Sequence, residues 1–220
     1  MPTVVRLTPD RAARSAVVSG ATFVGGLAGM LARSDVPYPR PGSDAATIRS
    51  FFQGNHGAAR VGAAGQLLSA VTLGRFTASV VRLAGSAGPS ARRLQVAAAM
   101  GGATAVASLA GSGLISAALT RDDAQSDKET VALHRRAFLS GGIVHGVGFG
   151  LLVGALGIAG RRTGALPDGL TTAALGSAAA GLLTPLYFAA EPAALLVPIG
   201  RFSGLVITGI AGLRLARGHG

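Results

Sequence analysis

The chain has no cysteine and no tryptophan among its 220 residues. Without cysteine there is no disulfide framework, no thiolate metal site and no thiol redox chemistry. Charge is scarce too. Only 13% of the residues are Asp, Glu, Lys or Arg, against roughly 25% in a soluble domain. With a mean hydropathy of +0.50, that scarcity excludes both an ordinary soluble domain and a disordered tail. No HExxH pair, nucleophile elbow or phosphate loop is present, so no catalytic residue, metal or cofactor is assigned, and the chain is not read as an enzyme.

What charge there is has one dominant sign. Lys and Arg number 20, Asp and Glu 9, for a formal net charge of +11. A nucleic-acid partner is not expected, because the basic residues form no single stripe, aromatics are only 5% of the chain, and no recognition motif occurs. Arg outnumbers Lys nineteen to one, which reads as codon usage in a high-GC genome. Basic loops flanking apolar spans account for the same charge.

The charges cluster between long uncharged runs. Residues 15–32, 94–120, 137–160 and 170–190 hold no Asp, Glu, Lys or Arg, and each meets or approaches the roughly 20 residues that cross a bilayer as a helix. Segments 61–81 and 193–213 qualify with one charge each, Arg75 and Arg201. The expectation is a single all-α domain over residues 1–220: a polytopic bundle of six spans in the lipid bilayer of the cell membrane. The first run is read as a retained span, since it is Gly-rich and is followed by Arg33 without a convincing small-x-small cleavage site.

Placing both termini in the cytoplasm puts ten Lys and Arg of the loops inside and eight outside, which sets the expected orientation. The longest outer loop, 33–60, opens with Pro37, Pro39 and Pro41 and continues with Ser43 and Asp44 as a helix start. Ile48, Phe51 and Phe52 then form an apolar edge, expected as a short interfacial helix. The segment from Ser43-Asp44-Ala45-Ala46 to Arg60, followed by a span rich in Gln, Ser and Arg, resembles small six-span membrane proteins of high-GC Gram-positive bacteria. The resemblance is one of architecture and carries over no site residue.

Within the spans, small and polar residues recur at helical spacing. Gly142, Gly146, Gly150 and Gly154 fall every four residues, so a neighbouring helix can approach backbone to backbone. The neighbour belongs either to the same bundle or to a homo-oligomer. Thr104, Ser108, Ser112, Ser116 and Thr120 keep the same spacing. They either bond their own helix's carbonyls or line a polar path. Gln66, Ser69, Thr72, Arg75, Ser79 and Arg82 form a broad polar sector of the second span.

Arg75 and Arg201 stand out. A central Arg costs about 2.5–3.5 kcal/mol on insertion scales, and the strings Gly74-Arg75-Phe76-Thr77 and Gly200-Arg201-Phe202-Ser203 nearly match. No acid lies in any of the six segments. Glu191, between Pro185, Pro192 and Pro198, is the nearest carboxylate for Arg201, and Pro198 would free the carbonyl of Ala194. The guanidiniums therefore bond internal groups or bind an anionic ligand such as a lipid headgroup or small carboxylate. Arg75, Arg201, His145, Ser108, Ser112 and Glu191 are the expected ligand-binding set. The alternative function is a structural or assembly subunit with a membrane partner.

Overall fold

A computed structural model describes residues 9–121 and 126–218. Those residues are helical throughout their regular structure. The helices are α1 (Ser15–Leu31), α2 (Ala45–Phe52), α3 (His56–Gly85), α4 (Ala91–Ala118), α5 (Asp127–Phe138), α6 (His145–Thr163), α7 (Asp168–Leu182) and α8 (Leu196–Arg217). A π-helical segment, Leu139–Val144, joins α5 to α6, so the two run on as one span. Among the described residues, six helical segments are long and apolar enough to cross a bilayer: Arg11–Leu31, His56–Gly85, Ala91–Ala118, Asp127–Thr163, Asp168–Phe188 and Glu191–Arg217. The sequence expectation of six spans in an all-α bundle holds, with most segments longer than their uncharged cores.

Neighbours in sequence are neighbours in space. The main contacts run α1 to α3, α3 to α4, α4 to α6, α6 to α7, α7 to α8, and back from α8 to α1, which closes a ring. The fourth span also touches α3 and α8 across the middle and is the most enclosed of the six. Asp10 clasps the ring where first and last helices meet. Its N–H donates to the Leu215 carbonyl at 3.0 Å, and Arg82 donates to its carboxylate at 2.7 Å. Burial raises the Asp10 pKa, but hydrogen bonds from Arg82 and Ser79 outweigh it and hold the carboxyl below its ordinary range.

Glycine decides how close the helices come. A Cβ on Gly26 would lie 2.7 Å from the Gly65 Cα, and one on Gly148 would lie 2.6 Å from the Ala105 backbone N. Both pairs are backbone-to-backbone crossings of the kind that small residues permit in membranes. Gly146 and Gly150 face α7 and its extension: Cβ atoms there would come within 2.9 Å of Thr184 and of the Ala178 carbonyl. Gly154 also faces Ala178, more loosely. The glycine stripe is thus filled from within the chain. Gly142 departs from it, lying in the π-helical segment, where an added Cβ would meet the Phe138 ring at 3.5 Å. A π turn holds one extra residue, and that residue swings Gly142 off the common face.

The 33–60 loop is built differently from its expectation. Asp44 caps α2, accepting from the Thr47 N–H at 2.7 Å, and Ile48, Phe51 and Phe52 are buried. They pack with Ala58, Ala59, Met30 and Leu119. The apolar edge is therefore turned onto the end of the bundle and onto α5, rather than presented to lipid, because three large side chains find a protein groove in which to bury. Tyr38 stacks edge-on against Phe51 at 5.0 Å, and His134 is buried beside Phe52.

Candidate functional site

The two central arginines have opposite surroundings. Arg75 lies on the exposed face of α3, with Leu68, Val71 and Ala78. Arg201 points into the bundle. Its guanidinium donates to the Gly141 carbonyl and stacks over the Phe23 ring, 4.8 Å from the centroid. Helix α1 lies between α3 and α8 in the ring, so the two guanidiniums do not share a site. The matching strings are rotated differently. Phe76 is buried beside the outward Arg75, whereas Phe202 is exposed beside the inward Arg201.

The Gly141 carbonyl lies in the π-helical segment and accepts from outside it. Register shifts inside a helix leave carbonyls without their usual partner, and here other helices take them. Arg201 of α8 bonds Gly141 O, and Thr184 donates to Ile143 O at 3.2 Å. Ser140, also in the segment, donates to the Ser108 carbonyl at 2.7 Å. Gly141 itself rests against the Ser112 side chain, with no room for a Cβ.

Beside Arg201 is a small, partly enclosed cavity. Its polar and aromatic wall comes from Ser19 and Phe23 of α1, Ser69 of α3, His145 and Phe149 of α6, and Arg201. Leu73, Leu109 and Leu205 close it with apolar surface. The space open to the centre of a water molecule is about 10 Å³, which is room for one water-sized particle. Ser19 and Ser69 hydroxyls lie 2.9 Å apart, and Ser19 Oγ is 3.1 Å from the Ser69 carbonyl. His145 Nδ1 lies 2.9 Å from the Ala105 carbonyl. A carbonyl only accepts, so Nδ1 carries the proton and Nε2 of the neutral ring is an acceptor. The ring stacks on Phe149 at 5.5 Å.

Two buried polar atoms in this region have no hydrogen-bond partner among the described residues: Arg201 Nε and Gln66 Oε1. An unsatisfied buried donor on a charged group is costly, and most such groups in proteins find a partner. Among the described residues, no carboxylate pairs with Arg201.

Of the expected binding set, the structure brings Arg201 and His145 to one cavity. Ser108 and Ser112 are buried close by, on the α4 face toward the π-helical segment. Ser108 also donates to the Thr104 carbonyl at 2.6 Å, which is the internal bonding expected of such a stripe. Arg75 is elsewhere, and so is Glu191. Glu191 is exposed, at the start of a 3₁₀ turn that precedes α8, and is not the counter-ion of Arg201. The broken helix around the prolines is present as two 3₁₀ turns, Thr184–Phe188 and Glu191–Leu195. Pro198 sits in the first turn of α8, where a missing N–H disrupts no bond. Ser19, Phe23 and Phe149 were not singled out from sequence. They look like ordinary span residues, and only the helix crossings show them facing Arg201.

Comparison with protein-family models, curated proteins and solved structures gives no match.

Proposed function

We propose that the protein is a multi-pass cell-membrane protein, with both termini in the cytoplasm, that binds an anionic ligand at Arg201 inside the bundle. One observation carries this reading: among the described residues the guanidinium is buried where five spans meet, bonded to a carbonyl and a ring, with its Nε–H unpartnered and no carboxylate paired with it. A carbonyl and a phenyl ring satisfy donors but leave a net positive charge in a medium of low dielectric. An anion neutralises it, and a guanidinium is the side chain best suited to hold one. His145 and the Ser19–Ser69 pair form the neighbouring wall. Native mass spectrometry from mild detergent tests the reading. The parent should carry an anionic adduct that Arg201→Gln loses and Arg75→Gln keeps. A bare parent, with stability independent of every anion tried, overturns it. Because the chain has no cysteine, single cysteines at Gln53 and Ser86 report orientation cleanly. An impermeant maleimide applied from outside should label the first and not the second.

The second reading is a structural or assembly subunit, and Arg75 favours it. Arg75 lies seven residues from Arg82, about 10 Å along the axis at 1.5 Å per residue. Its Cβ tilts toward the helix N-terminus, away from Arg82. A partner helix presenting a carboxylate would relieve the cost of that charge in lipid. The apolar core of each span, 15–32, 61–81, 94–120, 137–160, 170–190 and 193–213, lacks one, so the partner would be a different protein. A stoichiometric partner lost on Arg75→Leu supports this reading, and a lone monomer from native membranes counts against it.

A further inference from the structure

The cavity beside Arg201 constrains its ligand more tightly than charge alone. We infer that it holds one dehydrated, monatomic monovalent anion of halide size, rather than a carboxylate, a phosphate or a lipid headgroup. This rests on the anion-binding reading above and narrows it.

Three features argue for it. The first is size. Room for one water-sized particle, about 10 Å³ to its centre, fits a single bare halide, with fluoride about the size of water and chloride and bromide somewhat larger. Acetate or phosphate, with several heavy atoms, would have to push helices apart. The helices are set by glycine crossings such as Gly26 on Gly65 and Gly148 on Ala105, where backbone already meets backbone. The second feature is charge. One guanidinium is present and no second cation lines the cavity, so a single negative charge brings the site to neutrality and a dianion overshoots.

The third feature is the donor set. Arg201 Nε–H has no protein acceptor. Where Ser19 donates to the Ser69 carbonyl, the Ser69 hydroxyl hydrogen is free to turn to a ligand. The Gly141 carbonyl already occupies the Nη2 side of the guanidinium, so the two-pronged grip that suits carboxylate and phosphate is not available in full. The buried donor left for a ligand is Arg201 Nε–H, with the Ser69 hydroxyl on the same cavity wall. Phe23 and Phe149 add walls whose ring edges are electropositive.

The experiment uses the full chain purified in mild detergent, with thermal unfolding in the sodium salts of fluoride, chloride, bromide, acetate and phosphate at equal ionic strength. The parent should gain several degrees in at least one halide over acetate and phosphate. Ser69→Ala should weaken the halide's apparent affinity about tenfold, and Arg201→Gln should abolish the difference. Arg201 also bonds the π-helical segment, so its variant can fail to fold; the Ser69 variant and a direct location of the ion keep the test decisive. In crystals grown with bromide, an anomalous peak should lie within hydrogen-bonding distance of Arg201 Nε. Stabilisation by acetate or phosphate but not by halides overturns this inference while leaving the anion reading standing. Equal unfolding temperatures in all five salts, with no bromide at Arg201, overturn both.

Discussion

Gly148→Ala tests the crossing on which the site depends. The added Cβ would lie 2.6 Å from the Ala105 N, 2.8 Å from the Gly101 carbonyl oxygen and 2.9 Å from the Thr104 Cβ. Two of the three are backbone atoms, which no rotamer change can move. Restoring an ordinary contact of 3.4 Å from Ala105 requires α4 and α6 to part by about 0.8 Å at this level. The same interface carries the His145–Ala105 bond at 2.9 Å and the Ser140–Ser108 bond at 2.7 Å. Separation on that scale takes both out of good geometry. Overpacking costs about 1–3 kcal/mol, and two weakened hydrogen bonds add about 0.5–1.5 kcal/mol each. The sum is about 2–6 kcal/mol. For a chain of this size that lowers the unfolding temperature by roughly 4–24 °C. The control is Gly176→Ala. Nothing lies within 4 Å of its new methyl, and helix propensity favours Ala by about 1 kcal/mol. The assay is thermal unfolding in mild detergent, read by light scattering and by circular dichroism. If Gly148→Ala melts within a degree of the parent, α4 and α6 do not meet backbone to backbone and the cavity wall is not as described.

The other perturbations test different parts of the molecule. Arg75→Leu should ease membrane insertion of α3 by about 2.5–3.5 kcal/mol in a translocon assay, with purified-monomer stability equal or higher; a loss of monomer stability would mean that Arg75 has an internal partner. Phe51→Ala removes a fully buried ring from the cap over the bundle end and should cost about 3–5 kcal/mol, seen as faster hydrogen exchange in residues 33–60. Protection unchanged there would place the ring outside the core. Asp10 titrates below its ordinary value of 3.8 in the folded chain, so its contribution is complete above that value and is lost as pH falls through the folded pKa. The unfolding-temperature gap between the parent and Asp10→Asn should therefore hold from pH 7 to 5 and close below pH 3.8; a gap that widens on acidification contradicts the Arg82 clasp.

The spans were legible because a bilayer imposes length and apolarity on any crossing helix, and uncharged runs record both. The ring of sequential neighbours adds nothing unusual, given that the α3–α4 and α6–α7 connections are short. What sequence could not settle is rotation. The polar sector drawn through Gln66, Ser69, Thr72, Arg75, Ser79 and Arg82 spans too wide an arc to have one orientation. At 100° per residue, Arg75 is about 120° from Ser69. Ser69 and Ser79 are buried while Arg75 and Arg82 are exposed, so the sector straddles the boundary between bundle and surroundings. The same limit explains why two nearly identical Gly-Arg-Phe strings end with one arginine inside and one outside. Burial of Gly200 against Gly181 turns α8 one way, and burial of Phe76 turns α3 the other.

The π-helical segment was invisible for a different reason. Ser140-Gly141-Gly142 is as compatible with a regular helix as with a π turn, and the regular four-residue glycine spacing argued for the former. The choice is made by partners outside the segment. A π turn exposes carbonyls, and in a span without water each needs a donor from elsewhere. Arg201 and Thr184 supply those donors to Gly141 and Ile143. The dependence runs both ways, since the Gly141 carbonyl is also what holds the guanidinium in place. Arg201 thus presents two sets of atoms: Nη2 bonds the π turn, and Nε is buried with its hydrogen unspent in a residue that lines the cavity. A packing residue needs only the first. Arg201→Lys separates them, because an ammonium can reach one acceptor but cannot present a second donor in a fixed plane. If the cavity is a binding site, the lysine variant keeps most of the stability and loses the anion dependence. If Arg201 is only a clasp for the π turn, stability with and without halide changes in step.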